Sequence, residues 1–331
     1  MDALVQIGGT YKRDFMSEYP VTSKPVIYLA PLQGFTDYTF RLAFCTLFEA
    51  PDLAFSPFIE THKPDHRAYR DVLPDRNKAT RLIPQVLGNN SEEMLPVIAH
   101  LSELGYTEIN WNLGCPYPMV TKKKLGSGLL PFPEEIDMIL TRLFKDSKLK
   151  LSIKMRLGLS NTDEWKALVP ILNRYPLTEV IIHGRTASQM YAGDVNETAF
   201  LEMASQLQHP VCYNGNINSL DDFQSLSEHM PLVSRWMIGR GLIANPLLIN
   251  EIKTKRKATP QEIKTAISQL HDQLLYQNSI RLSGESHLMN KVKPYWEYFA
   301  KSLPENKKGL KKIKKTSAFS SYINACNEVL S

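Results

Sequence analysis

Residues 108–116 read Glu108-Ile109-Asn110-Trp111-Asn112-Leu113-Gly114-Cys115-Pro116, and beyond a loop the chain continues into Pro133–Phe144. Glu108–Asn112 is a β-rich run, and Pro133–Phe144 is a stretch of helical period. Pro133 occupies the place of an N1 proline, with Glu134 and Glu135 following in the first turn, where the helix dipole favours carboxylates. The unit is strand, loop, helix, and it recurs along the chain. Further β-rich runs are Val26–Ala30, Leu53–Ser56, Leu82–Leu87, Leu151–Met155, Glu179–His183, Pro210–Tyr213 and Ser234–Ile238. Helical stretches follow most of them, as at Glu92–Leu104, Asp163–Arg174 and Ser219–His229. Eight strands alternating with helices over about 220 residues predict the α/β class and a (β/α)8 TIM barrel. A doubly wound open sheet competes, since counting strands does not establish closure.

After Asn250 the strand pattern stops. Glu262–Asn278 carries Ile263, Ile267, Leu270 and Leu274 at helical spacing, and His287–Lys301 carries Val292, Tyr295, Trp296 and Phe299. A lysine-rich connection, Asn306–Lys315, leads to a last amphipathic stretch ending near Leu330. The expected organisation is an N-terminal extension (1–24), a barrel (25–253) and a C-terminal all-helical domain (260–331).

The 331 residues are 43% hydrophobic, enough for a substantial core and too many for wholesale disorder. The longest apolar runs fall far short of the ~20 residues of a membrane helix. The first residues mix Asp2, Lys12, Arg13, Asp14 and Glu18 without an apolar core segment, so no signal peptide is expected. Cys45, Cys115, Cys212 and Cys326 are too scattered for a disulfide framework or a zinc ribbon. The expectation is a soluble, cytoplasmic monomer with no membrane association and no protein partner. Net charge is +5, but residues 251–331 hold 15 Lys and Arg against 7 Asp and Glu, whereas residues 1–250 hold 24 against 27. A tail at +8 on a body at −3 fits either a polyanionic partner or a lysine face kept for solubility.

In a barrel, chemistry sits on the loops where strands end. Those ends carry Pro31-Leu32-Gln33-Gly34, Gln85, the Asn112–Pro116 loop, Lys154 with Arg156, His183-Gly184-Arg185-Thr186, Asn214-Gly215-Asn216 and Gly239-Arg240-Gly241. Glycines after strands seven and eight suit a phosphate, with Arg240 adding charge. Gln33, Gln85, Lys154 and His183 converge from four strands on one mouth, which suits the polar edge of a flavin. Lys154 alone is equally a structural ion-pair partner, and His183 alone a hydrogen-bonded core histidine. Cys115, placed between Gly114 and Pro116, reads as a nucleophile or a proton donor. The other three cysteines read as packing residues. His62 and His66 are separated by Pro64, so no metal site is expected.

Taken together, these motifs resemble the tRNA-dihydrouridine synthase family from about Ile27 onward. The most specific elements are Asn112-Leu113-Gly114-Cys115-Pro116 and Lys124-Leu125-Gly126-Ser127-Gly128-Leu129-Leu130. Ile153-Lys154-Met155-Arg156-Leu157-Gly158, His183-Gly184-Arg185-Thr186, Asn214-Gly215 and Met237-Ile238-Gly239-Arg240-Gly241 add to them. Lys291 and Lys293, before Tyr295-Trp296, resemble a basic signature of the bacterial C-type branch.

The resemblance implies FMN, NADPH as reductant with NADH as the other option, and tRNA as substrate, reduced at D-loop position 16 or 20. It implies that Cys115 protonates C5 of uridine while hydride from reduced FMN reaches C6. Pro31, Leu32, Gln33, Gln85, Lys154, His183, Asn214, Gly215, Asn216, Gly239 and Arg240 would hold FMN. Asn112, Arg185 and Tyr191 would face the tRNA. Lys122, Lys123, Lys124, Lys291, Lys293, Lys311 and Lys312 would meet its phosphates. Two positions depart from the family pattern: Asn216 where Asp or Glu is usual, and Gln33. Two rival readings stand: an FMN barrel reductase acting on a small molecule, disfavoured by the basic tail, and a non-catalytic tRNA-binding protein, disfavoured by Cys115, Lys154 and His183.

Overall fold

The computed structural model describes residues 6–7, 10–11, 24–64, 66–145 and 150–331. Apart from Lys24 and a short antiparallel ladder of Gln6–Ile7 on Thr10–Tyr11, the N-terminal extension lies outside the described residues.

Parallel strands form the centre: β1 (Val26–Leu29), β2 (Leu53–Phe55, continued by Ile59–Glu60), β3 (Leu82–Ile83 and Gln85–Leu87), β4 (Glu108–Leu113), β5 (Lys150–Gly158), β6 (Glu179–Thr186), β7 (Val211–Asn214) and β8 (Arg235–Ile238). Each pairs with the next, and β8 pairs with β1, Trp236 opposite Ile27. The ring closes at β3, whose first half pairs with β2 and second half with the continuation of β2 and with β4. Pro84 separates the halves, because it brings no N–H to the ladder. Its carbonyl still accepts the Asn110 N–H at 2.9 Å, so the interruption is one residue wide. The sheet is therefore a closed barrel, and the open-sheet alternative falls.

The period of two along each strand divides the core. Tyr28, Ala30, Phe55, Ile83, Ile181, Cys212 and Met237 fill the barrel interior. Their neighbours Ile27, Leu29, Val180, Ile182, Trp236 and Ile238 face the helices. Those helices are α1 (Tyr38–Leu47), α2 (His66–Asp71), α3 (Ser91–Glu103), α4 (Pro133–Lys145), α5 (Trp165–Leu172), α6 (Glu197–Gln206), α7 (Leu220–His229), α8 (Arg240–Ala244) and α9 (Leu248–Thr254). Helix starts follow the sequence signals: Ser219 caps α7 by accepting the Asp222 N–H at 3.1 Å, and Pro133 opens α4.

The C-terminal region comprises α10 (Pro260–Ser279), α11 (Glu285–Val292), α12 (Trp296–Phe299), α13 (Lys307–Lys315) and α14 (Phe319–Leu330). Thr259 and Glu262 form a capping box at the start of α10. The stretch expected as one helix, His287–Lys301, breaks at Pro294 into α11, a 3-10 turn and α12. The lysine-rich connection at 306–315 is instead a helix, α13, because Leu310 and Ile313 give it an inner face against α14.

This region docks on the first barrel loop. Asp37, which caps α1, is met by Lys291 Nζ at 2.8 Å and Arg281 at 3.4 Å. Lys291 also donates to the Gly34 carbonyl at 2.8 Å, and Tyr295 donates its hydroxyl to the Phe35 carbonyl. Phe35 meets the Tyr295 and Tyr298 rings edge-on at 5.3 and 5.0 Å, pairs worth about 0.5–1.5 kcal/mol each beyond their buried area. Among the described residues, no helix is long and apolar enough to cross a membrane.

Candidate active site at the mouth of the barrel

The strand ends enclose a cavity of about 320 Å³. Its wall includes Pro31, Leu32, Gln33, Gln85, Asn112, Cys115, Lys154, His183, Tyr191, Asn214, Gly215, Gly239 and Arg240, residues contributed by β1 and β3–β8 or the loops after them. Asn216 lies just outside the wall.

A relay of amides fixes the β3–β4 side. Asn110 Nδ2 donates to Ser152 Oγ at 3.0 Å and Gln85 Nε2 to Asn110 Oδ1 at 2.7 Å. Asn112 Nδ2 donates to Gln85 Oε1 at 2.7 Å, and Asn112 Oδ1 accepts the N–H groups of Gly114 and Cys115 at 3.0 and 2.9 Å. Asn112, expected to face RNA, thus spends its carbonyl shaping the cysteine loop. The second half of the motif clamps that loop from behind. Ser127 bonds the Cys115 carbonyl through N–H and Oγ, at 3.1 and 2.7 Å. Gly126 has φ +56°, and a Cβ there would stand 2.9 Å from Cys115 Cβ. Only glycine meets both demands.

Cys115 is 8% exposed, and burial raises its thiol pKa despite the Tyr117 N–H, Arg156 and Lys154 nearby. The side chain is therefore held as a thiol at neutral pH, the form a proton donor needs.

The β5–β6 side is cationic. Lys154 has no carboxylate partner among the described residues, and burial, then repulsion from Arg156, lowers its pKa to about 8. Arg156 donates to the carbonyls of Gly114 and Thr186 at 3.1 and 2.7 Å, and burial brings its pKa to about 10. Arg185 is buried behind the wall, donating to His183 Nε2 at 3.1 Å and to the Gly193 carbonyl at 2.6 Å. A guanidinium only donates, so His183 Nε2 is unprotonated and the neutral ring carries its proton on Nδ1. Burial and the surrounding cations, Arg156 first, hold the His183 pKa well below 6.5. Tyr191 sits between cations, its ring 5.5 Å from Arg156 and 4.6 Å from Arg240.

On the β7–β8 side, the backbone N–H groups of Gly215, Asn216 and Gly239 have no protein acceptor among the described residues. A Cβ on Gly215 would collide with Tyr213 Oη at 2.3 Å and one on Gly241 with the Ile217 carbonyl at 2.1 Å, so these glycines are required by packing as well.

Of the lysines expected at phosphates, several are occupied. Lys291 holds Asp37, Lys293 donates to the Thr316 carbonyl at 2.6 Å, and Lys312 pairs with Glu328 at 2.6 Å. Lys124 pairs with Glu135 at 2.9 Å and Lys123 with Glu60 at 3.5 Å. Lys122 and Lys311 are exposed and have no partner among the described residues, as is true of Lys307, Lys308, Lys314 and Lys315 on α13. Sequence reasoning placed Arg156 at a strand end without giving it a role, and missed Phe35, Tyr117 and, from the C-terminal region, Glu297, Tyr298 and Lys301, all of which line the cavity. Arg156 was within reach of sequence reading, since it stands two residues from Lys154 on one strand and so on the same face.

A family model described as dihydrouridine synthase matches residues 28–328. A probable tRNA-dihydrouridine synthase of Staphylococcus aureus (strain COL) is 28% identical over 261 residues, covering 76% of this chain and 77% of the relative. A tRNA-dihydrouridine(16) synthase of Vibrio parahaemolyticus is 28% identical over 292 residues, covering 84% and 88%. Among solved structures, histamine dehydrogenase from Rhizobium sp. 4-9 shares the fold at TM-score 0.53 and 11% identity, over 85% of this chain and 51% of that one.

Proposed function

Since the chain belongs to the dihydrouridine synthase family, we propose that it reduces a D-loop uridine of tRNA with FMN as cofactor and NADPH as reductant. Position 16 is preferred over position 20, because the relative named for position 16 aligns over 84% of this chain.

The cavity suits a flavin mononucleotide chemically. Lys154 is a desolvated cation without a counter-ion, matched to the anionic side of the ring system. The spare N–H groups at Gly215 and Gly239, with Arg240, suit a phosphate. Pro31, Leu32, Gln33, Gln85 and Asn214 complete the holding set, and His183 offers Nδ1–H. When bound and reduced, FMN supplies the hydride equivalent that adds to C6 of uracil. Cys115 gives its thiol proton to C5, so the C5=C6 bond becomes two C–H bonds. The thiolate left behind is stabilised by the Arg156 and Lys154 charges and takes a proton back from water. Arg156, Tyr191 and Tyr298, on the cavity wall, orient the base.

The tRNA contact of 260–331 centres on α13, where Lys307, Lys308, Lys311, Lys314 and Lys315 have no partner among the described residues and would meet phosphates. Lys122 adds a contact beside the mouth.

The observation that carries the proposal is a buried Cys115 in one cavity with Lys154, which has no carboxylate partner among the described residues, partly walled by Tyr298 and Lys301 from the C-terminal region. The test is incubation with NADPH and unmodified tRNA, followed by mass spectrometry of the nuclease-digested oligonucleotides. A two-hydrogen mass gain on one D-loop uridine is the expected result, and its absence overturns the reading.

A further inference from the structure

An exposed apolar side chain stands beside the site with no role in the chemistry described. Met119 is 77% exposed. It lies on the helical turn Pro118–Thr121, four residues beyond Cys115 and two beyond Tyr117, which lines the cavity. A lone surface methionine is ordinary in itself. Here the support beneath it and the residues around it make the difference.

The turn is braced on several sides. Val120 and Thr121 donate to the Tyr117 carbonyl at 2.8 and 3.0 Å. Gly128 packs so closely beneath that a Cβ on it would stand 2.4 Å from the Thr121 carbonyl oxygen. Asn89 Nδ2 reaches the carbonyls of Lys123 and Lys124 at 3.1 and 3.2 Å, and Lys124 takes φ +53° to complete the return. The apolar tip is thus presented on a fixed base, followed directly by the exposed Lys122 and Lys123.

A uridine inside an RNA stack presents neither C5 nor C6 to a thiol that is 8% exposed within a cavity. The base has to leave the stack, and the vacated gap is costly unless something apolar enters it. An unbranched, polarizable thioether suits such a gap, with the exposed Lys122 beside it for an adjoining phosphate.

We propose that Met119 is a positioning residue that enters the tRNA stack next to the departing uridine and holds the gap open. The inference rests on the tRNA reading above. It is tested with tRNA carrying a fluorescent purine analogue beside the target uridine, whose emission rises on unstacking. The labelled tRNA is titrated with FMN-loaded protein in the absence of NADPH, and turnover is measured separately. Wild type and Met119→Leu are expected to raise the emission, and Met119→Ala to lose most of that rise. With Met119→Ala, kcat is expected to fall about tenfold while the KM for tRNA stays within about twofold. An unchanged emission rise and a wild-type kcat in Met119→Ala overturn the role of Met119. Wild-type protein that forms no dihydrouridine in tRNA overturns the underlying functional reading instead.

Discussion

The two ends of the barrel treat charge in opposite ways. At the end where the strands begin, three carboxylates, one of them (Glu179) buried, each have a partner. Glu179 accepts from Tyr28 Oη at 3.2 Å and faces Arg235 Nε at 3.4 Å. Glu108 meets Arg81 at 3.6 Å and Thr178 at 2.9 Å, and Asp52 accepts the Ile27 N–H at 2.7 Å. At the mouth, Lys154, Arg156, Arg240 and Lys301 line one cavity in which Glu297 is the single acidic wall residue among the described residues. Burial and mutual repulsion depress the pKa values of Lys154 and Arg156. Unpaired desolvated cations are costly to a fold, and in a TIM barrel the strand-end face is where chemistry is placed. In this contrast one end neutralises its charge within the folded chain, whereas the other leaves cations that suit the anionic cofactor and substrate proposed above.

The strongest attack on this contrast is Cys115→Ala, expected to lower uridine reduction by about 10²–10⁴-fold while FMN stays bound and NADPH still reduces it. Dihydrouridine counts and the flavin absorbance report the two properties separately, and full turnover would remove Cys115 from the mechanism. Next comes Lys154→Met, expected to weaken FMN binding by about tenfold to a hundredfold, in line with one or two charge-assisted contacts. The apoprotein should be no less stable for the change, and its thermal midpoint is the check. A smaller effect belongs to α13. Replacing Lys307, Lys308, Lys311, Lys314 and Lys315 by alanine should raise the tRNA KM. It should also flatten the log–log salt dependence of binding by up to about one unit of slope for each phosphate no longer neutralised. An unchanged slope would show that the helix does not meet the RNA.

The smallest effect is also the most direct comparison of the two ends, because their stability contributions have opposite pH slopes. Burial raises the Glu179 pKa from 4.5 to about 7, so the folded chain holds the extra proton between those values. That stabilising contribution is complete below about 4.5 and is lost as pH rises through about 7. Lys154 is lowered from 10.5 to about 8, so in that interval the unfolded chain holds more protons, and stability rises with pH. Glu179→Gln should flatten the thermal midpoint between pH 5 and 7, and Lys154→Met between pH 8 and 10. Identical profiles in variant and wild type would contradict the assignment.

Much of this contrast was visible in the sequence. The strand runs, the Gly-Cys-Pro loop after β4, the paired glycine loops after β7 and β8, and the Lys154 and His183 positions all reappear on one cavity wall. Local signals carry such features, since period, caps and strand-end loops depend on near neighbours. The lysines show where that reasoning stops. In sequence, Lys291 and Lys293 look as free as Lys311, yet Lys291 is bound by Asp37, some 250 residues away, and Lys293 by the Thr316 carbonyl. Likewise Arg185 looks available, but it is spent on fixing the tautomer of His183.

Alternating strands and helices, set by backbone periodicity, determined the α/β class and the order of the strand-end residues from the chain alone. The acid-base role of Cys115 was left open between nucleophile and donor, because the pKa of a thiol depends on its burial and on charges from other strands. Closure of the ring across Pro84 and the entry of Tyr298 and Lys301 into the mouth come only from packing distant segments. Hydrophobic pattern says which face of a segment is buried; which segment it meets, and which charges are thereby left unpaired, follows from long-range contacts that no local stretch encodes.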